Sequence, residues 1–335
     1  MHCRRQSGLC CFSCSKFIIF ANAHQTPLIS LLTSKKNTLL VISGPTAVGK
    51  TDLCINLAKK FNTSIVSADS RQFYREMNIG TAKPSATELR EIPHHFINSL
   101  SIHEDYDVRK FEDNALQTID RLFLHQNPVI LTGGSGLYID VLTNGLDDIP
   151  QVNAGIRQEL TETYNQFGIG ELQSQLKILD PTYYGQVDLQ NPQRLMRALE
   201  VCIGTGKPFS SFRLKRKTNR PFDVIKIALE RDREELYSRI NRRMDQMIAE
   251  GLFEEASLLF PYRNLNALQT VGYKEIFDYM EGNYDREEAI RLLKRNSRRY
   301  AKRQMTWLKK DNEYIWFHPS ELDRITEFIT DQMSA

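Results

Sequence analysis

Residues 44–51 carry the strongest chemical pattern in the chain. They read Gly-Pro-Thr-Ala-Val-Gly-Lys-Thr and directly follow the apolar run 38–43, so a strand, a glycine-rich turn and the start of a helix succeed one another. Backbone N–H groups in such a turn can surround an anion, Lys50 adds a positive charge, and the helix N-terminus adds the positive end of its dipole. Thr51 offers a hydroxyl to Mg²⁺. The pattern predicts a phosphate-binding loop (P-loop), but not whose phosphates it holds; its residues are Gly44, Pro45, Thr46, Ala47, Val48, Gly49, Lys50 and Thr51.

Asp69 is the second candidate for chemistry. It follows the apolar segment 64–68, at the edge of a predicted sheet where ligands bind in open α/β proteins. The carboxylate could reach Mg²⁺ through water, act as a general base, or cap a turn with Ser70. In a nucleotide hydrolase we expect a later strand to end in a metal-binding acid, but the predicted strand 128–132 continues into Gly-Gly-Ser-Gly at 133–136. The residues alone leave the three roles of Asp69 open.

Three further segments could complete this site. Residues 80–84 supply a glycine, a hydroxyl and a lysine, and the glycines of 133–136 allow another part of the chain to approach closely. Arg239 and Arg243 are four residues apart on one face of a predicted helix, and their guanidinium groups could grip a diphosphate with forked hydrogen bonds. Ordinary turn chemistry and surface solubility are the alternatives, and the sequence does not separate them.

A parallel sheet is needed to bring these residues together. Apolar strand-like runs alternate with helical patterns, which predicts an α/β fold with helices on both faces of the sheet. The predicted strands cover 39–43, 64–68, 127–132, 224–229 and 314–317, with a weak one at 96–97. The predicted helices cover 51–61, 108–124, 156–164, 170–179, 192–203, 233–250, 254–260 and 286–310.

The strands stop between about 141 and 220 and resume at Val224, so the helical stretch reads as an insertion into the α/β core. The predicted division is an N-terminal extension at 1–36, the first part of the core at 37–140, a helical insertion at 141–220, and the second part of the core at 221–335. The extension fits a targeting segment, a disordered tail or a start codon placed too far upstream.

Composition favours a reduced cytoplasmic protein. The 335 residues carry a net charge of +3, and no apolar run approaches the roughly 18 residues of a membrane span. Four of the six cysteines lie within the first fourteen residues, and the single C-x-x-C at 11–14 has no second pair, so we expect neither disulfides nor a zinc site. The adjacent pair His94-His95 lacks metal-ligand spacing and is expected in a loop.

Basic residues form two clusters near aromatic side chains. A charge run is by default a solvated face, but two such clusters also suit a nucleic-acid partner. The first cluster comprises Arg194, Arg197, Lys207, Arg213, Lys215, Arg216, Lys217 and Arg220. The second comprises Arg291, Lys294, Arg295, Arg298, Arg299, Lys302 and Arg303.

Seven strings, taken together and in order, resemble the tRNA dimethylallyltransferase family, also called tRNA isopentenyltransferases. Taken singly, only the P-loop string is specific. The other six strings gain specificity because all seven occur in the family's order between about 38 and 318. The strings are 44–51, 68–74, 77–84, 133–138, 191–200, 269–274 and 301–308. The resemblance implies a P-loop NTPase-like sheet with an inserted all-helical tRNA-binding domain. The family often has Ser at the position of Val48 and Thr at that of Ser135; neither change removes the backbone cradle or the loop hydroxyl.

The resemblance also implies a reaction. Dimethylallyl diphosphate would donate its five-carbon group to N6 of the adenosine that follows the anticodon, in tRNAs reading codons that begin with U. The P-loop would then hold the diphosphate of the prenyl donor, with Mg²⁺ as cofactor and Thr51 as the residue on the metal. Asp69 would be the general base, and Lys50 and Arg243 would stabilise the leaving diphosphate.

The residues implied in binding the tRNA anticodon stem-loop come from five parts of the chain. The target base must leave its stack to reach a buried site. The implied residues are Asp69, Ser70, Arg71, Gln72, Ser135, Arg157, Gln193, Arg194, Leu195, Met196, Arg197, Gln269, Thr270, Val271, Gly272, Tyr273 and Lys274. A monomer that needs no membrane is the simplest expectation.

Two other functions explain part of the pattern. A P-loop kinase of small metabolites needs the loop but neither the basic insertion nor the basic final helix. A nucleotide-dependent RNA-binding switch without catalysis is the other alternative.

Overall fold

A six-stranded parallel sheet forms the centre of the molecule in the computed structural model, which describes residues 36–214 and 217–334. The extension predicted at 1–36 therefore lies outside the described residues, except for Lys36. The strand order is β3-β2-β4-β1-β5-β6. The strands are β1 Thr38–Ser43, β2 Ile65–Ser67, β3 His94–His95, β4 Val129–Gly133, β5 Asp223–Leu229 and β6 Ile315–Phe317.

Thirteen α-helices accompany the sheet within the described part of the chain. The first four are α1 Lys50–Phe61, α2 Ala86–Glu91, α3 Val108–Phe123 and α4 Gly136–Asn144. The next four are α5 Ala154–Phe167, α6 Ile169–Leu179, α7 Pro181–Tyr184 and α8 Pro192–Thr205. The last five are α9 Arg233–Ala249, α10 Leu252–Leu259, α11 Lys274–Met280, α12 Arg286–Leu308 and α13 Leu322–Gln332.

The central strand β1 is buried along its whole length because helices cover both faces of the sheet. Side chains of a strand alternate between faces, so Leu40 and Ile42 enter one core and Leu39 and Val41 enter the other. The first core is closed by α1, α9 and α13, and the second by α3 and α4. Parallel strands sandwiched in this way confirm the predicted fold class.

Helices α5 to α8 pack around a separate core that includes Leu160, Leu172 and Leu199. They lie within the stretch 141–220 that the sequence assigns to an insertion. Helix α4 crosses the predicted boundary at residue 140, because Val141 and Leu142 pack into the core of the sheet. The chain therefore leaves the sheet after α4.

Arg220 joins the end of the helical stretch to the sheet. Its Nε donates to the Leu142 carbonyl at 3.0 Å, and its guanidinium forms an ion pair with Glu112, both side chains being about nine-tenths buried. The contact fastens the chain that returns from α8 to α3 and α4.

The edge of the sheet differs from the sequence prediction. The weak strand expected at 96–97 is wrong: β3 consists of His94 and His95, which were expected in a loop. Phe96 and Asn98 adopt positive φ angles of 64° and 54°, so the chain turns there instead of extending. Helices α2, α4, α7, α11 and α13 were not anticipated from the sequence.

No helix in the described ranges is both long enough and apolar enough to cross a membrane.

Candidate active site

The P-loop connects the end of β1 to the start of α1. Gly49 has φ 112° and Ala47 has φ 65°, so the backbone turns through conformations that most side chains avoid. Helix α1 begins at Lys50, and its free N–H groups and positive dipole end face the turn. Val48 is fully buried in the core, and its side chain plays no part in the cradle. The backbone therefore makes a sharp turn in front of a helix N-terminus where the spacing predicts an anion-binding loop, and the binding of an anion there stays a prediction.

Lys50 lies across the P-loop. Its Nζ donates to the carbonyls of Gly44 at 2.8 Å and Pro45 at 2.9 Å. Burial and the nearby Arg243 guanidinium lower the pKa of Lys50 to about 8, and the Asp69 carboxylate opposes that shift. The ammonium group is thus held at the loop with its charge only partly compensated, which favours an anionic ligand.

Arg239 and Arg243 reach the same loop from α9. Arg239 Nε donates to the Ala47 carbonyl at 2.9 Å, and Arg243 donates to the Thr46 hydroxyl. Burial lowers the pKa of Arg243 below the usual value of a guanidinium group, although the Asp69 carboxylate opposes this shift. Two guanidinium groups on the P-loop are not a solubility feature, so the structure favours the anion-gripping alternative for this pair.

Asp69 follows β2 and lines a cavity of about 1010 Å³, the first cavity, together with Lys50 and Arg243. Its Oδ1 accepts a hydrogen bond from the Arg71 amide at 3.0 Å, so the turn-capping role is present. Its charge also acts on Lys50 and Arg243, and it helps burial to raise the pKa of Tyr300. Capping and chemistry are therefore compatible in this one side chain.

The loop after β4 lies directly against the Asp69 segment. A Cβ at Gly133 would be 2.2 Å from the Ala68 carbonyl oxygen, so only glycine fits there. Ser135 Oγ accepts from the Ser70 amide at 3.0 Å and bonds the Ser70 hydroxyl at 3.1 Å. The predicted close approach of another chain segment at 133–136 is present, and it fixes where Asp69 emerges.

Sequence reasoning missed Gln304 and Tyr300, which α12 contributes to the site. Gln304 Oε1 accepts from the Thr46 amide at 2.8 Å, and its Nε2 donates to the Gly134 carbonyl at 2.9 Å. This one amide connects the P-loop to the loop after β4. For Gln304 the sequence signal was the string 301–308, to which no role was assigned.

A second cavity of about 890 Å³ lies between the sheet edge and the helical stretch α5–α8, and it shares Gly133, Gly134 and Tyr300 with the first cavity. Its lining brings together residues from both basic clusters and several aromatic side chains. The lining includes Ser70, Ser135, Tyr183, Arg194, Arg213, Arg303 and Trp307. Lys215 and Arg216 of the first basic cluster lie outside the described residues.

Several of the proposed RNA-binding residues form one network on α5 and α8. Arg157 and Arg197 both bind the Glu200 carboxylate, at 2.7 and 3.3 Å, and Arg157 also donates to Gln193. The structure corrects two assignments here: the side chains of Leu195 and Met196 are buried in the core of the helical stretch and cannot contact RNA.

The segment 269–274, like α8, contains both accessible residues and a buried one. Thr270, Val271 and Gly272 line the first cavity, and Lys274 is exposed. Tyr273 is fully buried, and its hydroxyl donates to Glu255 at 2.6 Å. Its assignment to RNA contact is therefore also corrected. Gln269 Nε2 is engaged by the Arg263 carbonyl at 2.6 Å.

The described residues fit Mg²⁺ only as an ion whose ligands come partly from the protein and partly from a bound substrate. Across residues 36–214 and 217–334, no group of three or more His, Cys, Asp or Glu side chains could hold a metal. Thr51 is exposed on the first turn of α1, beside the P-loop. Mg²⁺ usually takes one or two protein ligands together with substrate phosphates and water, and the Thr51 hydroxyl suits that role.

Fold and site together define a P-loop-like α/β protein in which cationic side chains at the loop lie beside an acidic side chain and a basic, aromatic-lined cavity. The sequence model of the IPP transferase family matches residues 72–311, and the chain belongs to this family.

Curated relatives agree with this assignment. The chain is 49% identical over 292 residues to tRNA dimethylallyltransferase 1 of Bacteroides thetaiotaomicron, covering 87% of this chain and 95% of that protein. It is 52% identical over 291 residues to tRNA dimethylallyltransferase of Cytophaga hutchinsonii, covering 87% and 96%.

Solved structures resemble it as well. The tRNA isopentenylpyrophosphate transferase of Bacillus halodurans has a TM-score of 0.66 at 38% identity, covering 89% of this chain and 97% of that one. A eukaryotic dimethylallyltransferase described as acting on tRNA has a TM-score of 0.70 at 26% identity, covering 86% and 75%.

Proposed function

We propose that the protein transfers the dimethylallyl group of dimethylallyl diphosphate to N6 of the adenosine next to the anticodon of tRNA. The observation that carries the proposal is the meeting of Asp69, Lys50 and Arg243 in one cavity. A base and a cationic diphosphate grip that line one space suit a displacement at carbon. Membership in the family, and relatives named for this reaction, support it further.

In the proposed mechanism the diphosphate binds to the P-loop amides, Lys50 and Arg243. Asp69 accepts a proton from the exocyclic amine of adenine as the nitrogen forms a bond to the first carbon of the prenyl group. The bond between that carbon and the diphosphate oxygen breaks, and the electron pair leaves with pyrophosphate. Lys50 and Arg243 stabilise the charge that grows on the departing oxygens. Mg²⁺, held through Thr51, would neutralise part of the same charge.

The second cavity is the proposed entrance for RNA. Arg194, Arg213 and Arg303 would contact phosphates, while Trp307 offers a surface for an unstacked base. Because this cavity shares Gly134 and Tyr300 with the first, a flipped adenine could approach Asp69 from the RNA side. Ser70, Arg71, Gln72, Ser135, Arg157, Gln193 and Arg197 are proposed neighbours of the bound RNA.

A transfer assay tests this function. The wild-type protein, Mg²⁺ and an unmodified anticodon stem-loop RNA are incubated with dimethylallyl diphosphate labelled in its prenyl group. Label is expected in the RNA, and none is expected in a matched RNA with guanosine at the target position. Phosphate transfer from ATP to a small metabolite, without label in RNA, would instead support a kinase. RNA binding gated by ATP, without any transfer, would support a switch. The monomeric state and cytoplasmic location stay predictions.

A further inference from the structure

Glu255, on α10, contacts two segments that line the first cavity, and no role in the proposed reaction has been given to it. Its two carboxylate oxygens accept four hydrogen bonds. Oε2 accepts from the amides of Asn78 and Ile79, each at 2.9 Å, and Oε1 accepts from the Gly80 amide at 3.0 Å. The fourth donor is the Tyr273 hydroxyl, which lies 2.6 Å from Oε1. Such a set satisfies both oxygens of a carboxylate.

The two segments held by Glu255 both face the substrate space. Residues 78–83 line the first cavity, and so do Thr270, Val271 and Gly272 immediately before Tyr273. The segments are far apart in sequence, and a single carboxylate connects them. Burial and the Glu255 charge raise the pKa of Tyr273, which keeps its hydroxyl protonated as a donor.

The segment 78–83 is fastened at its other end by Lys83. Its Nζ donates to the Tyr74 carbonyl at 2.5 Å, to Asn98 at 2.6 Å and to Asn78 at 3.1 Å. Between the two anchors, Ala82 has φ 49°, a conformation that the surrounding contacts must hold in place. The two anchors leave the loop little freedom to shift.

The carbonyls presented by this loop orient Gln72. Gln72 Nε2 donates to the carbonyls of Thr81 and Ala82, each at 3.2 Å, while its Oε1 accepts from Ser67 at 3.1 Å. Gln72 lies three residues after Asp69 and lines the same cavity. The position of the Gln72 amide therefore depends on the loop that Glu255 holds.

We propose that Glu255 is a positioning residue that fixes the wall at 78–83 and 270–273 and, through it, the amide of Gln72 beside Asp69, so that the adenine is oriented for prenyl transfer. The inference rests on the proposed function. It predicts an effect on the use of RNA and none on the binding of the diphosphate donor, because the four hydrogen bonds of Glu255 go to residues 78–80 and to Tyr273 and not to the P-loop.

Glu255→Gln tests the inference, since it keeps the size of the side chain but removes the charge and one acceptor oxygen. At least one of the four donors then loses its partner, so kcat/KM for the stem-loop RNA should fall about tenfold to a hundredfold. KM for dimethylallyl diphosphate should not change. Glu254→Gln, on the exposed carboxylate one position earlier, is the matched control and should match wild type in both constants.

Hydrogen–deuterium exchange of the substrate-free protein separates this role from general stability. Glu255→Gln should accelerate exchange at the amides of 78–80 and leave β1 unchanged. An unchanged kcat/KM for RNA overturns the inference, whatever the exchange shows. Faster exchange throughout the protein together with a raised donor KM also overturns it, because Glu255 would then stabilise the whole fold.

If Glu255→Gln does not yield folded protein, Tyr273→Phe decides. It removes one of the four donors and should accelerate exchange at 78–80 and lower kcat/KM for RNA, by less than Glu255→Gln is expected to; wild-type values for both overturn the inference. If wild-type protein transfers no prenyl group to RNA, the proposed function fails. Exchange at 78–80 still tests whether Glu255 holds the wall.

Discussion

At the residue scale, the carboxylate of Asp69 shows how a turn residue can also be available for chemistry. One oxygen accepts the Arg71 amide, which holds the side chain in one direction. The carboxylate as a whole lines the first cavity, within the influence of Lys50 and Arg243. A base that is already oriented needs little rearrangement when the adenine arrives.

Replacement of Asp69 by Asn should separate these two roles. The Asn oxygen can still accept the Arg71 amide, so the loop keeps its shape, but the side chain can no longer take up a proton. We expect kcat to fall about a hundredfold to ten-thousandfold, with binding of RNA and donor retained. Single-turnover transfer and filter binding measure the two quantities. Wild-type turnover in Asp69→Asn would remove Asp69 from the role of base.

The lowered pKa of Lys50 predicts a pH dependence. As pH rises through about 8, Lys50 loses its proton and the P-loop loses a positive charge. Because kcat/KM reports ionisations of the free enzyme, kcat/KM for dimethylallyl diphosphate should fall above that pH. The groups around Lys50 that share in this balance are Arg243, Asp69 and Cys54.

Lys50→Arg provides the comparison, since a guanidinium group keeps its charge to much higher pH. Its kcat/KM for the donor, although lower overall, should stay level across the same pH range. A fall with the same midpoint in both proteins would assign the ionisation to another group.

At the element scale, the loop after β4 and the turn after β2 act as one unit because their backbones touch. Gly133→Ala would force its Cβ to within 2.2 Å of the Ala68 carbonyl oxygen and push the two segments apart. We expect the free energy of unfolding to fall by about 1–3 kcal/mol and prenyl transfer to fall with it.

Thermal unfolding and the transfer assay measure the effects of Gly133→Ala. Gly170→Ala is the control, since Gly170 lies in α6 and a Cβ there meets nothing within 4 Å. It should leave activity unchanged and stability equal to or slightly above wild type. Equal stability of the two variants would contradict the close approach at Gly133.

Local patterns predicted the elements that carry the site. The strand before the P-loop, the helix after it and helices α5, α6 and α8 of the insertion each have a period and end signals within a short window. Leu195 and Met196 lie inside α8, while Arg194 and Arg197 lie three residues apart and toward the outside. Helical periodicity could have separated these two pairs, whereas the motif string included both without distinction.

At the scale of the whole molecule, the contacts that the sequence did not predict join distant segments. Gln304 meets Thr46 across 258 positions, and Glu255 meets the loop at 78–80 across about 175. No local pattern encodes such partners, because they depend on how helices pack against a finished sheet. The candidate site was therefore predictable in its P-loop and Asp69, but not in the side chains that hold its walls.

Helix α12 carries arginine side chains whose surroundings differ along its length. Arg291 is bound by Glu288, with Nε 2.5 Å from Oε2, near the start of the helix. Arg303 lines the second cavity, above the Tyr300 ring. The two arginines thus differ in position and in partner, and they allow a matched comparison.

RNA affinity should fall steeply as salt rises, because phosphate contacts release counterions. Arg303→Ala should weaken binding and reduce the slope of log affinity against log salt by about one unit, whereas Arg291→Ala should leave the slope unchanged. A fluorescence titration with the stem-loop RNA at several salt concentrations measures both. Equal slopes for the two variants would contradict an RNA site at the second cavity.

In the proposed reaction the P-loop holds a leaving diphosphate while carbon is transferred to adenosine. The direct measurement is mass spectrometry of nucleosides digested from the stem-loop RNA after reaction with dimethylallyl diphosphate, together with assay of the released pyrophosphate. We predict one adenosine carrying a five-carbon unit on N6 for each pyrophosphate formed, and almost none of either with Asp69→Asn. Unmodified adenosine with wild-type protein, or release of inorganic phosphate in place of pyrophosphate, would contradict the account.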